Sequence, residues 1–358
     1  MQKLYTNIVK TIKDYEESKL LQWQKEIEES SADKLKQALL CKDENGLLKV
    51  NFDPALVRLL REVKYLKLLY MNVPQTAESI FEKATTYRYQ TVSLDMIVQN
   101  YNKIVTCLNE VEEPLVKKRI EAMDKDVEPG IKEYKWNSPQ INDFIKKSKE
   151  TVDSLFEIVE KMKKSLEGIN NELLKFRKPM VERKNKPISP EEYDSILRAI
   201  LASKLNIVKE SSSVVHKTLK EVNDAVKIDR KLPEWKNYTE YINSIVIEGI
   251  AAAIVFALDH LNDQINSRKT DQQPLFEIKM ELEGKNGVVF EPEIEEQSDA
   301  SRMKSVRDTI RGWINEIFSI AHTFPRLDTV GSSTGGSTSS GDYLPEIKDD
   351  FSVKYVTS

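Results

Sequence analysis

Residues 50–69 read VNFDPALVRLLREVKYLKLL. The stretch opens as a turn and becomes largely apolar, yet basic residues run through it. Asp53 can accept backbone N–H bonds at a helix start, and Pro54 fits the first helical position, where a missing N–H costs nothing. Leu56, Leu59, Leu60, Val63, Leu66 and Leu69 or Tyr70 then recur at three- and four-residue spacing, and Val57 and Leu68 widen the stripe. Arg58, Arg61, Glu62, Lys64 and Lys67 take the other positions. So wide a stripe must be enclosed, either by other helices of its own bundle or by a partner.

The same period continues on both sides. Leu4, Tyr5, Ile8, Val9, Ile12 and Tyr15 share one face of a helix expected over residues 1–40, which Asn45-Gly46 ends as a turn signal. Helical patterning runs from about 76 to 127 and is expected to stop at Glu128-Pro129-Gly130. Trp136-Asn-Ser-Pro follows, with Ser138 as a cap and Pro139 in the first turn. From Pro139 to Phe176 a heptad seam emerges. Ile145, Val152, Val159, Leu166 and Leu173 form one row, and Leu155, Met162, Ile169 and Phe176 the second. The exposed positions hold mixed Lys and Glu, the pattern of a solvated face.

Ser189-Pro-Glu-Glu192 is a strong helix start with a capping box, and helix is expected to about Lys227 and again from Trp235 to Leu261. The apolar run Gly249 to Leu258 is about half of the roughly 20 residues a membrane span needs, so it reads as a helix buried on all sides. Its small residues admit a close neighbour. Only PLFEIKMELEGKNGVVFEPEIE reads as sheet: Phe276, Ile278, Met280 and Leu282 alternate with polar residues, Asn286-Gly287 turns, and Val288 to Phe290 return. A last helix, about Ser298 to His322, places Met303, Val306, Ile310, Trp313, Ile314 and Ile317 on one side. Residues 331–341 are Gly/Ser/Thr-rich and cannot build a core.

The fold class predicted is mainly α: an elongated stack of helical bundles with one β-hairpin at about 275–294. The divisions are 1–130, 131–230 with the heptad helix, 231–330 with the hairpin, the flexible 331–341 loop, and 342–358 as the start of a further segment. Composition agrees, with 31% charged residues and only 11 glycines among 358. A net charge of -4 gives no reason to expect nucleic acid or an anionic membrane as a partner. Cys41 and Cys107 have no metal-ligand spacing and suit a reducing compartment such as the cytoplasm. The mixed-charge start lacks the apolar core of a signal peptide.

Catalytic signatures are missing. The Gly284-Lys285 pair is followed by Asn286 and lies in the hairpin turn, so it is no phosphate loop. His216, His260 and His322 stand far apart, outside any HExxH, and read as surface or packed helix residues. No GxSxG occurs. The reading is a structural or interaction protein with no catalytic, metal or cofactor residues.

Three stretches in fixed order resemble the N-terminal tail of dynein heavy chains: Val50 to Leu66, Trp136-Asn-Ser-Pro-Gln-Ile-Asn-Asp-Phe-Ile145, and the hairpin Pro274 to Leu282 with Val288 to Ile294. Trp235-Lys-Asn-Tyr-Thr-Glu-Tyr-Ile242 points the same way, and the hairpin is closest to the axonemal branch. The likeness covers most of residues 40–325. It implies a rod of successive bundles in a longer motor chain, with the motor ring, linker and stalk beyond Ser358. It further implies association with other heavy chains, with intermediate and light chains, and with docking proteins on doublet microtubules. The setting would be the cytoskeleton of the cilium axoneme, without nucleic acid or membrane. Alternatives are a cytoplasmic or intraflagellar-transport dynein tail, or a generic helical scaffold, although no fixed repeat is found. The residues expected to brace or contact in such a tail are Phe52, Asp53, Pro54, Leu59, Leu60, Val63, Leu66, Trp136, Val152, Val159, Leu166 and Trp235.

Overall fold

The computed structural model describes residues 2–177, 189–266, 278–284, 287–291, 294, 305–327 and 343. Among these the chain is mainly α-helical, with nine helices and two small two-stranded ribbons. It forms two compact units, residues 1–160 and 161–358.

The first unit opens with α1 (Gln2–Lys34). This helix stops short of the expected residue 40, because the chain then turns into strand β1 (Leu40–Lys42), which pairs antiparallel with β2 (Leu48–Val50). This second hairpin corrects the expectation that only one region forms sheet. Its turn carries its own signal: the Asp43 carboxylate accepts from the Asn45 and Leu47 N–H groups, both at 2.9 Å, and Gly46 takes φ +77. Hydrogen bonds from Leu47 and Asn45 hold the Asp43 carboxyl below its usual range against the opposing effect of burial.

Helix α2 (Pro54–Leu68) begins as its sequence dictates. The Asp53 side chain accepts from the Ala55 N–H at 2.8 Å and Pro54 sits in the first turn. Helices α3 (Gln75–Glu82), α4 (Ala84–Cys107) and α5 (Glu113–Lys132) follow. Both α1 and α2 pack on α3, α4 packs on β2, and α5 on β1.

Glu128-Pro129-Gly130 does not end α5 as expected; the helix carries Pro129 internally. Only one more turn follows, and the Pro129 carbonyl accepts from Glu133 and Tyr134 N–H groups, both at 2.8 Å. Gly130 is needed for close approach, since a Cβ there would lie 2.5 Å from the Phe144 ring.

Helix α6 (Ile141–Leu174) holds the heptad seam, and the division between the units falls within it. It starts later than expected. Ser138 closes a turn by accepting from the Lys135 N–H at 3.0 Å instead of capping the helix. Ile145, Val152, Leu155 and Val159 are buried in the first unit, and Met162, Ile169, Leu173 and Phe176 in the second. Leu166 is a half-buried exception to the seam.

In the second unit, α7 (Pro190–Val226) starts where Ser189 accepts from the Glu192 N–H at 3.2 Å. It ends at Lys227 in the left-handed region, φ 58. Helix α8 (Pro233–Asn266) is long and apolar enough to cross a membrane by length and composition. Its buried side chains, from Trp235 and Tyr238 through Ile242, Val246 and Ile250 to Ala257 and Leu261, fall on one stripe. Phe256 is 40% exposed, so the helix is not buried on all sides. Leu173 of α6 packs against Gly249, where an added Cβ would lie 2.8 Å from its Cδ1.

Strands β3 (Lys279–Glu283) and β4 (Gly287–Glu291) form the expected hairpin, with Met280 opposite Phe290 and Leu282 opposite Val288. Phe276 and Asn286 lie outside the described residues. Helix α9 (Val306–Thr323) is capped by Ser305, which accepts from the Asp308 N–H at 3.1 Å, and packs on α7 and α8. The start expected near Ser298, with Met303, lies outside the described residues, as does the stretch 331–341.

Candidate functional site

Two arrangements in the first unit gather most of the expected residues. One is an aromatic knot. Trp136 is buried, and its indole Nε1–H donates to the Asn51 carbonyl at 2.7 Å. Phe52 meets the indole edge to face, with centroids 4.7 Å apart, and Tyr87 of α4 lies 6.0 Å from Phe52 and 6.5 Å from Trp136. Such pairs add about 0.5–1.5 kcal/mol beyond their buried area. Burial pushes the Tyr87 phenol up from its ordinary pKa.

Asn51 is the hub. Its N–H donates to the Leu39 carbonyl at 2.9 Å and its side-chain amide to the Ala38 carbonyl at 3.1 Å. Leu39 donates to Tyr134, and Ala38 bridges Lys135. Asn102 of α4 clips the ribbon from beneath: its amide accepts from the Leu48 N–H and donates to the Leu48 carbonyl, both at 2.9 Å. Satisfied, half-buried amides of this kind fix one geometry. The ribbon thus leads into Asp53 and Pro54 and sets where α2 leaves the knot.

The second arrangement is α2 itself, with α1. Leu56, Leu59 and Val63 are buried, each worth about 1.5–3 kcal/mol of transfer free energy. Leu60 and Leu66 are only half-buried, and Val57, Tyr65, Leu68 and Leu69 are exposed. Tyr70, at φ 55, is 97% exposed. The stripe is wider than one packing face can cover, so its surplus stays on the surface.

Part of that surplus lines a groove of about 680 Å³ between the two helices. Ile12, Tyr15, Leu20 and Trp23 form the α1 wall; Tyr65, Leu66 and Leu69 form the α2 wall. The walls are tied by the Trp23 indole N–H, which donates to Glu62 at 2.8 Å. Outside the groove, Leu4, Tyr5 and Ile8 of α1 are also exposed.

The other expected residues stand apart from both arrangements. Val152 and Val159 belong to the α6 seam and Leu166 is half-buried beside it. Trp235 is buried in the second unit, 5.6 Å from Tyr238. Sequence reasoning missed Asn51, Asn102 and Trp23, whose roles depend on partners far along the chain. It also missed Tyr343. That residue is fully buried, with its hydroxyl donating to Asn243 at 2.6 Å and accepting from the Leu327 N–H at 3.1 Å. No group of His, Cys, Asp and Glu fit to hold a metal occurs among the described residues.

Between α5 and α6, Asp126 pairs with Lys147 at 2.9 Å and accepts from Thr151 at 2.7 Å. Burial raises the Asp126 carboxyl, but the bonds to Lys147 and Thr151 outweigh it and hold the group below its usual range.

The family described as dynein heavy chain, N-terminal region 1, matches residues 1–144. The flagellar outer-arm dynein beta chain of Chlamydomonas reinhardtii is 28% identical over 99% of this chain and 8% of its own length. Dynein axonemal heavy chain 17 of Mus musculus is 31% identical over 86% of this chain and 7% of its own. The ciliary dynein beta chain of Tripneustes gratilla is 28% identical over 90% and 7%. The chain therefore spans less than a tenth of the length of these relatives.

Proposed function

The chain belongs to the N-terminal tail region of axonemal dynein heavy chains, and from that premise we propose that it is a non-catalytic assembly and anchoring segment of a ciliary motor. Its partners are other dynein subunits: heavy, intermediate and light chains, and docking proteins on the doublet microtubule. Its place is the axoneme, without nucleic acid or membrane as ligand.

One observation carries this reading. The α1–α2 surface presents large apolar side chains on two adjacent helices, with Leu4, Tyr5, Ile8, Tyr65 and Leu68 each more than half exposed. A face of this kind in a tail region suits a subunit contact. The knot at Trp136 and the α6 seam supply the stiffness that force transmission between anchor and motor requires. The motor chemistry belongs to parts of such heavy chains other than the tail, so this segment neither binds nor hydrolyses ATP.

The test is recovery of partners from ciliary extract with residues 1–358 as bait, identified by mass spectrometry. Dynein arm subunits are expected. Recovery of cytoplasmic transport components alone, or of nothing by folded bait, would overturn the reading.

A further inference from the structure

The β3–β4 hairpin has one polar face and one apolar face. Met280 stands opposite Phe290 and Leu282 opposite Val288, and these four share the apolar face because side chains alternate along a strand. Leu282 is 81% exposed, Met280 66% and Val288 51%. Lys279, Glu281, Val289 and Glu291 lie on the other face. Among the described residues the ribbon has two strands only, so its outer edges are unpaired. A two-stranded ribbon is marginal alone in water, and a third strand satisfies an edge and brings cross-strand partners to the apolar face.

The chain itself carries a stretch of matching pattern. Residues 351–357, which lie outside the described residues, read Phe-Ser-Val-Lys-Tyr-Val-Thr. Phe351, Val353 and Tyr355 alternate with Ser352 and Lys354, and most of the stretch is aromatic or β-branched. None of the other stretches outside the described residues places apolar side chains at three alternate positions.

Reach and direction follow from two anchors at opposite ends of α9. The Ile294 carbonyl, just past β4, accepts from the Arg307 N–H at 3.3 Å, at the helix start. Tyr343 is held at the helix end, with its ring 6.0 Å from that of Phe324 and its hydroxyl bonded to Asn243 and Leu327. The helix between them has 18 residues and is about 27 Å long. An extended chain from Tyr343 to Phe351 covers at most about 28 Å, enough to bring Phe351 to Ile294. A chain that arrives at Ile294 and continues out along β4 runs antiparallel to it.

We propose that residues 351–357 pair antiparallel with the outer edge of β4 as a third strand. Lys354 then lies opposite Glu291, Tyr355 opposite Phe290 and Val356 opposite Val289, while Phe351 packs on Ile294. A slip of one residue would carry Lys354 to the apolar face, so the charge pairing and the apolar pairing select the same register. Pro292 has no N–H to donate, which confines the hydrogen-bonded ladder to 354–357 against 288–291. The inference is separate from the assembly reading and can fail without it.

The test uses the whole chain with Cys41→Ser and Cys107→Ser, so that an added pair of cysteines is the only one. Val289→Cys with Val356→Cys places two thiols opposite each other and should give a disulfide within one chain, located by mass spectrometry of the unreduced digest. In the offset pair, Val289→Cys with Tyr355→Cys, the two side chains point to opposite faces, and oxidation should be at least about tenfold slower. A second measurement needs no cysteine. Phe351→Asp with Tyr355→Asp should speed hydrogen exchange of the 288–291 amides at least about tenfold and leave α7 and α8 unchanged.

Equal oxidation of the two pairs, or no disulfide from either, would overturn the inference. So would a disulfide between two chains, since a second copy would then supply the strand. Unchanged exchange at 288–291 in the Asp variant would overturn it as well, because the edge of β4 would be open with or without residues 351–357.

Discussion

The indole N–H of Trp136 donates to the backbone carbonyl of Asn51 at 2.7 Å, across 85 residues of chain. That bond joins the turn ahead of α2 to the turn ahead of α6. Removing the donor leaves the carbonyl without its partner beside the aromatic cluster. Trp136→Phe should therefore cost about 1–3 kcal/mol, and Trp136→Ala about 3–5 kcal/mol through the cavity it opens. Chemical denaturation of both variants checks the order; equal stability of Trp136→Phe and the parent would mean the bond contributes nothing.

A charge in the α6 seam should be far worse. Val159 is 1% exposed, and burying an unpaired carboxylate costs several kcal/mol. Val159→Asp is expected to abolish the cooperative melt of the first unit, read by circular dichroism. Leu166→Asp, at a half-buried position, should be markedly milder. Similar losses at the two sites would contradict the seam as drawn.

The close approach at Gly249 leaves no room for branching. With a Cβ only 2.8 Å from Leu173 Cδ1, Gly249→Val overpacks the contact and should lower stability by about 1–3 kcal/mol. Leu173→Ala made in the same chain should recover part of that loss. A double-mutant cycle measures the coupling, which should be nonzero because the residues touch.

Acid should loosen the α5–α6 contact. The Asp126 carboxyl is depressed in the fold, so the unfolded chain binds its proton first as pH falls. Its contribution is whole above the unfolded value near pH 4 and is lost as pH drops through the folded value. Glu172 behaves alike: burial raises it, and bonds to Lys175 and Ser211 more than offset that. Because Lys147 is mostly exposed, the Asp126 pair is worth less than about 1 kcal/mol. Asp126→Asn should remove that increment at pH 7 and flatten the stability profile below pH 4, measured by urea titration.

Much of this architecture was legible from spacing. The α6 seam, the Asp53-Pro54 and Ser189-Pro190 helix starts and the β3–β4 pairing are local patterns, each decided by residues a few positions apart. What escaped was set by distant partners or by competition. Ser138 looks like a cap but closes the preceding turn. Pro129-Gly130 looks like a stop, yet the helix runs on to Lys132, and Gly130 serves instead to make room for Phe144. The β1–β2 ribbon had a turn signal in Asp43 and Gly46, but three-residue strands are too short for alternation to reveal them. For the candidate surface, the width of the α2 stripe was visible. That its outer half would stay exposed, and that α1 would make it one wall of a groove, depended on packing no single stretch encodes.

On the proposed function, the α1–α2 surface is where this tail segment meets another subunit. Lysine cross-linking and mass spectrometry on intact arms isolated from the axoneme tests it most directly. Lys19 and Lys64, exposed on α1 and α2, should cross-link to a different subunit, and Tyr65→Glu with Leu69→Glu should suppress those links. If both lysines link only within their own chain, while lysines of α6 or α7 capture the neighbouring subunits, the surface is not the contact and the account is wrong.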